Sequence, residues 1–279
     1  YEIHKLGYDS SIPEEGSVGF RKRIRRELNR WKEARIAREA DAVIVQTDRI
    51  KHRTIELFGV SPGKVVVIPM GVDPNQFDPR AYVAERKSLR RKFGCINRIC
   101  FLYNGNLARE TGLEFFLEAM RSLPSQIKQG IKILILGRGE LEQYVKKVSV
   151  EEPNLLRFLG LRDYKEMPAI YSASDVLVLP YPKMKCWRFN VPTKLLEGMA
   201  MERLILASNV TGIARVLDGN GITYQAEQSE SLAKVVAQVV ENYESFTARR
   251  HQARQSVVRK YDWRHMRRRL HDFYESLLH

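Results

Sequence analysis

The stretch of this chain richest in chemistry is Cys186-Trp187-Arg188-Phe189-Asn190-Val191-Pro192-Thr193-Lys194-Leu195-Leu196-Glu197. Asn190 or Val191 is placed to cap a helix, with Pro192 at its first turn. The N–H groups near Thr193, Lys194 and Leu195 then form an anion site, and Lys194 adds charge. Glu197 falls one turn beyond Thr193 on the same face, where a carboxylate can accept hydrogen bonds from two adjacent sugar hydroxyls. Gly198-Met199-Ala200 argue that this face is buried, and a buried carboxylate needs a partner. The plainer alternative is a capped helix with a surface Glu.

Three further turns hold glycine. Tyr103-Asn104-Gly105-Asn106-Leu107-Ala108-Arg109-Glu110-Thr111-Gly112 sets two glycines around a polar loop. Glycine lets backbone approach a phosphate, and Arg109 can pair with one. A plain turn with a solvated Arg is the competing reading. Gly137-Arg138-Gly139-Glu140 is half of a dinucleotide fingerprint without its third glycine, and reads first as a tight turn. Leu159-Gly160-Leu161-Arg162 can present backbone groups to a flat base, although nothing local demands it.

These turns need elements to hold them. Apolar runs at Ile99–Tyr103, Ile131–Leu136, Leu155–Leu159, Val176–Leu179 and Leu204–Ala207, with a weaker one at Ile222–Tyr224, predict strands. Helices are predicted between them, at 112–122, 139–149, 164–172, 191–201 and 212–217. Strict alternation with strands apolar throughout means a parallel sheet covered on both faces. Ligands of such sheets bind beyond the carboxyl ends of the strands, against helix N-termini. Upstream, Ala42–Val45 and Lys64–Ile68 read as strands. Thr47 offers an N-cap and Gly59 a C-terminal stop to the helix between them. Residues 69–97 read as a linker, and the chain closes with helices at about 229–245, 247–260 and 263–278. Too few strands precede residue 70 for a second complete domain. The opening Tyr1-Glu2-Ile3-His4 lacks Met, and the expectation is a shortened first module.

Composition narrows the function classes. The chain has 279 residues with 44% hydrophobic and 29% charged, ordinary for a folded globular protein. No apolar run reaches the roughly 18–20 residues of a membrane-spanning helix. The three cysteines, Cys95, Cys100 and Cys186, are odd in number and lack metal-ligand spacing, as in a reducing compartment. A net charge of +14 asks for an acidic partner. Nine Lys/Arg against two Glu lie between Arg21 and Arg38. A second basic cluster includes Arg249, Arg250, Arg254, Arg259, Lys260, Arg264, Arg267, Arg268 and Arg269. The stripe Phe20/Ile24/Leu28/Trp31 at helical spacing is either a core face or an interfacial membrane face; core packing is the expectation, with the basic edge of that helix touching anionic lipid. No nucleic-acid module or aromatic platform is present, so nucleic acid is not expected.

The order of motifs resembles a retaining GT-B glycosyltransferase of family 4. It runs through Ala42-Val43-Ile44-Val45-Gln46-Thr47, Val67-Ile68-Pro69-Met70-Gly71-Val72-Asp73 with Phe77, and Tyr103–Leu107. Ile135–Gly139, Phe158-Leu159-Gly160, Ala173–Val176 with Leu179-Pro180, and Pro192–Glu197 continue it. The resemblance implies an α/β, GT-B-type fold: a complete C-terminal Rossmann-like doubly wound parallel sheet plus a partial N-terminal Rossmann-like module. The implied boundaries are 1–78 for the acceptor-side module, 79–262 for the nucleotide-sugar domain and 263–279 for a helix crossing back.

In that family the Glu matching Glu197 holds the donor ribose, the residue matching Leu161 contacts the base through its backbone, and the turn matching Gly105–Gly112 holds the diphosphate. The implied donor site is Gly105, Asn106, Arg109, Thr111, Gly137, Arg138, Leu161, Thr193, Lys194, Leu195 and Glu197, with His4 near the transferred sugar; a structural surface histidine is the alternative reading of His4. Two departures stand out. Phe189 replaces the first acid of the usual Glu-x7-Glu pair, and the family's diphosphate-neutralising Arg and Lys fall at Asn106 and Thr111. Arg109, with Lys194 or Arg138, is the expected substitute. The implied reaction is sugar transfer from a nucleotide-diphosphate sugar to a glycan or lipid-linked acceptor with retention, without metal or cofactor. The implied location is cytoplasmic, peripheral on the inner face of a membrane. A non-catalytic or split subunit, or a sugar-nucleotide epimerase, are the alternatives.

Overall fold

A computed structural model describes residues 1–3, 20–183 and 191–278. Nine strands are described: β1 (Glu2–Ile3), β2 (Val43–Val45), β3 (Val65–Val67), β4 (Ile99–Asn104), β5 (Ile131–Leu136), β6 (Leu156–Gly160), β7 (Val176–Leu179), β8 (Leu204–Ser208) and β9 (Ile222–Tyr224). The helices on their N-terminal side are α1 (Phe20–Glu39), α2 (Asp48–Phe58) and α3 (Val83–Phe93). Then come α4 (Leu113–Arg121), α5 (Ser125–Gln129), α6 (Glu142–Glu151), α7 (Met167–Ala173), α8 (Thr193–Ala200) and α9 (Thr211–Leu217). The chain closes with α10 (Ser229–Asn242), α11 (Thr247–Lys260) and α12 (Trp263–Leu278).

The strands form two all-parallel sheets, β1-β2-β3 and β6-β5-β4-β7-β8-β9. The larger sheet is the doubly wound α/β layer that the strand–helix alternation predicts. Its two faces carry separate cores. Leu102, Leu134, Leu136, Leu177 and Ile205 line one, and Phe101, Tyr103, Ile133, Ile135, Val176 and Leu206 the other. Side chains of a strand point alternately to opposite faces, which is why runs apolar at every position are needed here. The smaller sheet packs Val43, Val45 and Val65 against Ile50 and Phe58 of α2. Thr47 caps α2 by accepting from Ile50 N at 3.2 Å, and Gly59, at φ 65°, closes it.

The order of the large sheet reverses between β4 and β7. Loops after β4 and the start of α8, which follows β7, therefore face the same crevice. The chain recrosses below it: Val72 N donates to Tyr261 O at 2.9 Å and Trp263 N to Val72 O at 3.0 Å. A Cβ at Gly71 would press on the Trp263 ring and Tyr261 O. Val72 and Phe77 sit in the core of the large sheet, and Arg269 Nη2 donates to Val67 O at 3.0 Å.

Three expectations are corrected. Residues 69–97 are not simply a linker, because α3 lies within them. It buries only Phe93 of its own span, so no apolar stripe announces it. It is held instead by ions. Arg86 Nη2 and Arg90 Nη1 reach the two oxygens of buried Asp175 at 2.5 and 2.7 Å. Arg90 also donates to Ala173 O, Cys95 O and Arg98 O at 2.7–2.9 Å.

The second correction concerns α1. Ile24, Leu28 and Trp31 are 47, 54 and 56% exposed, so the stripe expected in the core faces outward. The buried side of α1 is Ala34 and Ala37, which let it lie close on α2. Helix starts also move: α6 begins at Glu142 rather than 139, because Gly137 and Gly139 take φ values of 133° and 152°. Among the described residues no helix is long and apolar enough to cross a membrane.

Candidate functional site

Three loops meet at the carboxyl edge of β4, β5 and β6. Gly105 N donates to Leu136 O at 3.1 Å, Leu107 N to Arg138 O at 2.9 Å and Gly137 N to Gly160 O at 3.0 Å. Glycine is required by this closeness. A Cβ on Gly137 would overlap Gly105 O, and one on Gly105 would overlap Lys194 Nζ. A cleft of about 420 Å³ opens on this floor. It is lined by Asn104, Gly105, Asn106, Gly137, Arg138, Leu161, Arg162, Tyr164, Thr193, Lys194 and Glu197.

α8 forms the opposite wall. It starts at Thr193, whose N–H and that of Lys194 have no intrahelical acceptor. Lys194 reaches across to β4: its Nζ donates to Asn104 O at 2.5 Å and lies 5.8 Å from the centre of the Tyr103 ring. Burial pushes this ammonium down to about 8, although nearby Glu197 opposes the shift. Glu197, one turn on, is 6% exposed. Its carboxylate accepts from Tyr164 Oη at 3.1 Å and from Tyr171 Oη at 2.9 Å. Burial raises the Glu197 carboxyl, and the two phenols and Lys194 hold it back. The partner that a buried carboxylate must have is thus a pair of tyrosines. Neither was singled out from the sequence. Their spacing of seven residues, which places them on one side of a helical segment, was the signal available.

The structure gathers most of the predicted donor residues and sets others apart. Gly105, Asn106, Gly137, Arg138, Leu161, Thr193, Lys194 and Glu197 line the cleft. Arg109 does not line it: its guanidinium is 71% exposed and 3.8 Å from Glu114, and its backbone N–H is taken by Glu140 Oε1 at 2.9 Å. Thr111 is buried beneath the loop, donating to Ala108 O at 2.6 Å and lying 2.9 Å from Tyr103 Oη. Leu195 is wholly buried, and its N–H goes to Pro192 O at 3.0 Å. The basic groups at the cleft are therefore Lys194, Arg138 and Arg162. His4, Phe189, Asn190 and Cys186 lie outside the described residues.

A second cavity, about 140 Å³, lies where the smaller sheet meets the large domain. Gln46, Thr47, Asp48 and Arg49 at the start of α2 form one side, and Val191, Arg215, Val216 and Tyr261 the other.

The whole chain has relatives of this shape. An Anabaena protein, HepE, solved with UDP and glucose, overlays 99% of this chain and 71% of its own at a TM-score of 0.79 and 18% identity. Sucrose-phosphate synthase from Thermosynechococcus elongatus overlays 99% and 67% at a TM-score of 0.77 and 19% identity. These likenesses show a GT-B fold.

Among characterised relatives, the alpha-D-kanosaminyltransferase of Streptomyces kanamyceticus is 25% identical over 87% of this chain and 61% of its own length. The D-inositol 3-phosphate glycosyltransferase of Corynebacterium jeikeium is also 25% identical, over 90% of this chain and 61% of its own. An uncharacterised glycosyltransferase of Methanocaldococcus jannaschii matches over 81% of this chain and 57% of its own. The chain thus spans about three fifths of the length of the curated relatives it matches.

A family model described as Glycosyltransferase Family 4 matches residues 3–76. A second, described as Glycosyl transferases group 1, matches residues 98–242, just over half of the chain and the whole of the sheet that builds the cleft. The chain belongs to the group 1 glycosyltransferases.

Proposed function

We propose that the cleft binds a nucleotide-diphosphate sugar and that the protein transfers the sugar to an acceptor with retention of anomeric configuration. The observation that carries this reading is the pairing of Glu197 and Lys194 on one short helix at the switch point of the sheet. A buried carboxylate with two acceptor oxygens suits the vicinal hydroxyls of a ribose. A buried ammonium one turn nearer the helix start, among amides with no intrahelical acceptor, suits the diphosphate. The complexes of the Anabaena protein with UDP and with UDP-glucose support a nucleotide sugar as donor.

In this reading the backbone beside Leu161 meets the base. The glycine loops at Gly105 and Gly137 let backbone approach the phosphates, and Thr193 N–H and Lys194 stabilise the charge that develops on the leaving diphosphate. Arg138, at the loop tip, takes the role expected of Arg109. No metal or cofactor is assigned. The departing diphosphate, held on the face where the acceptor arrives, assists removal of the acceptor's proton, so the new bond forms on the face the diphosphate leaves.

The acceptor, a glycan or a lipid-linked sugar, enters from the second cavity at the ends of β2 and β3. The outward stripe Ile24/Leu28/Trp31 on α1, with Arg25, Lys32 and Arg35 beside it, fits an anionic membrane surface and would bring the protein to a lipid-linked acceptor.

Calorimetric titration with UDP, GDP and ADP tests the donor reading. One of them is expected to bind, and binding by none would refute it. Retention is tested by NMR of the product anomer once an acceptor is found.

A further inference from the structure

We infer that Tyr164 is a latch on Glu197 which the donor's ribose must displace, so that this tyrosine sets affinity and selects for a vicinal diol. The inference rests on the reading that Glu197 receives the ribose, and it concerns a residue to which that reading gives no role.

The two phenols on Glu197 are not equivalent. Tyr171 is fully buried. Its hydroxyl donates to Glu197 Oε2 at 2.9 Å and accepts from Asn104 Nδ2 at 3.2 Å, and its ring meets Phe77 edge-on at 5.9 Å. It is a fixed part of the wall. Tyr164 is 56% exposed and lines the open cleft. The one described hydrogen bond of its side chain is to Glu197 Oε1 at 3.1 Å, and its ring lies tilted against Phe77 at 5.9 Å. Its backbone is pinned: the turn Tyr164–Glu166 is closed by a reciprocal capping box between Asp163 and Glu166. A rigid turn with a solvent-facing side chain leaves rotation of the phenol as the available motion. Burial and the Glu197 charge both push the Tyr164 phenol up, so it stays a proton donor.

A ribose hydroxyl is also a neutral O–H donor. With Oε2 held by Tyr171, a diol approaching from the cleft meets Oε1, the atom Tyr164 occupies. The exchange replaces one O–H···carboxylate bond by one or two others, and the gain is reduced by the bond broken. A ligand without the diol has nothing to offer in exchange and leaves the latch shut.

Binding of UDP, GDP and ADP, and of their 2′,3′-dideoxy forms, to the wild type and to Tyr164→Phe, Tyr171→Phe and Glu197→Gln provides the test. Tyr164→Phe keeps the ring on Phe77 and is expected to tighten the ribonucleotide that binds by about two- to tenfold, with the dideoxy form unchanged. Tyr171→Phe is expected to weaken the ribonucleotide, because the carboxylate loses its fixed support. If Tyr164→Phe weakens the ribonucleotide or leaves it unchanged while Glu197→Gln weakens it, the latch is wrong and the ribose contact stands. If Glu197→Gln changes nothing, the ribose contact itself fails and takes the latch with it. Thermal melting of each variant shows that it is folded.

Discussion

Lys194 donates from Nζ to the carbonyl oxygen of Asn104 at 2.5 Å, tying the first turn of α8 to the end of β4 where the sheet order reverses. This contact brings a cation to the floor of the cleft. Burial keeps it near 8, so its charge is conditional.

That condition predicts a pH dependence. A bound diphosphate favours the protonated ammonium, so the complex holds a proton that the free protein loses as pH rises through about 8. Above about pH 7.5, where the terminal phosphate of the nucleotide is already ionised, nucleoside diphosphate affinity should fall as pH rises through about 8. Lys194→Gln should bind at least about tenfold more weakly and lose the slope. Calorimetry from about pH 7.5 to 9.5 measures both, and a wild-type affinity that rises with pH over that range contradicts the assignment.

Removing the carboxylate has a different signature. Glu197→Ala deletes the proposed diol acceptor and leaves Tyr171 Oη, wholly buried, without its carboxylate. Ribonucleotide affinity should fall about tenfold or more, and stability should drop by about 1–3 kcal/mol, the cost of an orphaned buried polar group. Chemical denaturation beside calorimetry separates the two effects.

The glycine floor tolerates no side chain. At Gly137 the backbone is at φ 133° and a Cβ would run into Gly105 O. Gly137→Ala should cost about 2–4 kcal/mol by forcing the two loops apart, and should weaken nucleotide binding in protein that remains folded. Gly63, where a Cβ meets nothing within 4 Å, is the control: Gly63→Ala should change stability by less than about 1 kcal/mol.

Asp175 tests the helix hidden in the basic stretch. It takes Arg86 Nη2, Arg90 Nη1 and Cys100 N at 2.5–2.8 Å. Asp175→Asn should destabilise the protein by about 3–5 kcal/mol, because two partly buried guanidinium groups lose their counter-charge. Proteolysis of native-state protein should then cut first within Val83–Phe93.

The outward stripe of α1 separates binding from folding. Because Leu28 and Trp31 are more than half exposed, Leu28→Glu with Trp31→Glu should leave the melting temperature within about 2 °C. The same pair should abolish sedimentation with phosphatidylglycerol vesicles. Sedimentation that persists, or is equally strong with neutral vesicles, contradicts the membrane reading.

Much of this protein was legible in its order of residues. Strands such as Ile131–Leu136, apolar at every position, can only be covered on both faces, and alternated with helices they dictate a parallel doubly wound sheet. Thr47 and Gly59 mark the ends of α2 by local backbone chemistry, and Pro192–Glu197 marks the helix that walls the cleft. These signals are short-range, so a linear reading recovers them.

What the tertiary structure decided is long-range. α3 is held by Arg86 and Arg90 on a carboxylate more than eighty residues away, and ion pairs leave no periodicity in sequence. The Ile24/Leu28/Trp31 stripe has the spacing of a core face, yet Ala34 and Ala37 are the residues buried against α2. Helical spacing defines a face but not what covers it. Arg109 and Lys194 are equally cationic in sequence. Only the crossing of α8 over the end of β4 buries one beside Asn104 and leaves the other in solvent, and burial is what tunes a charge.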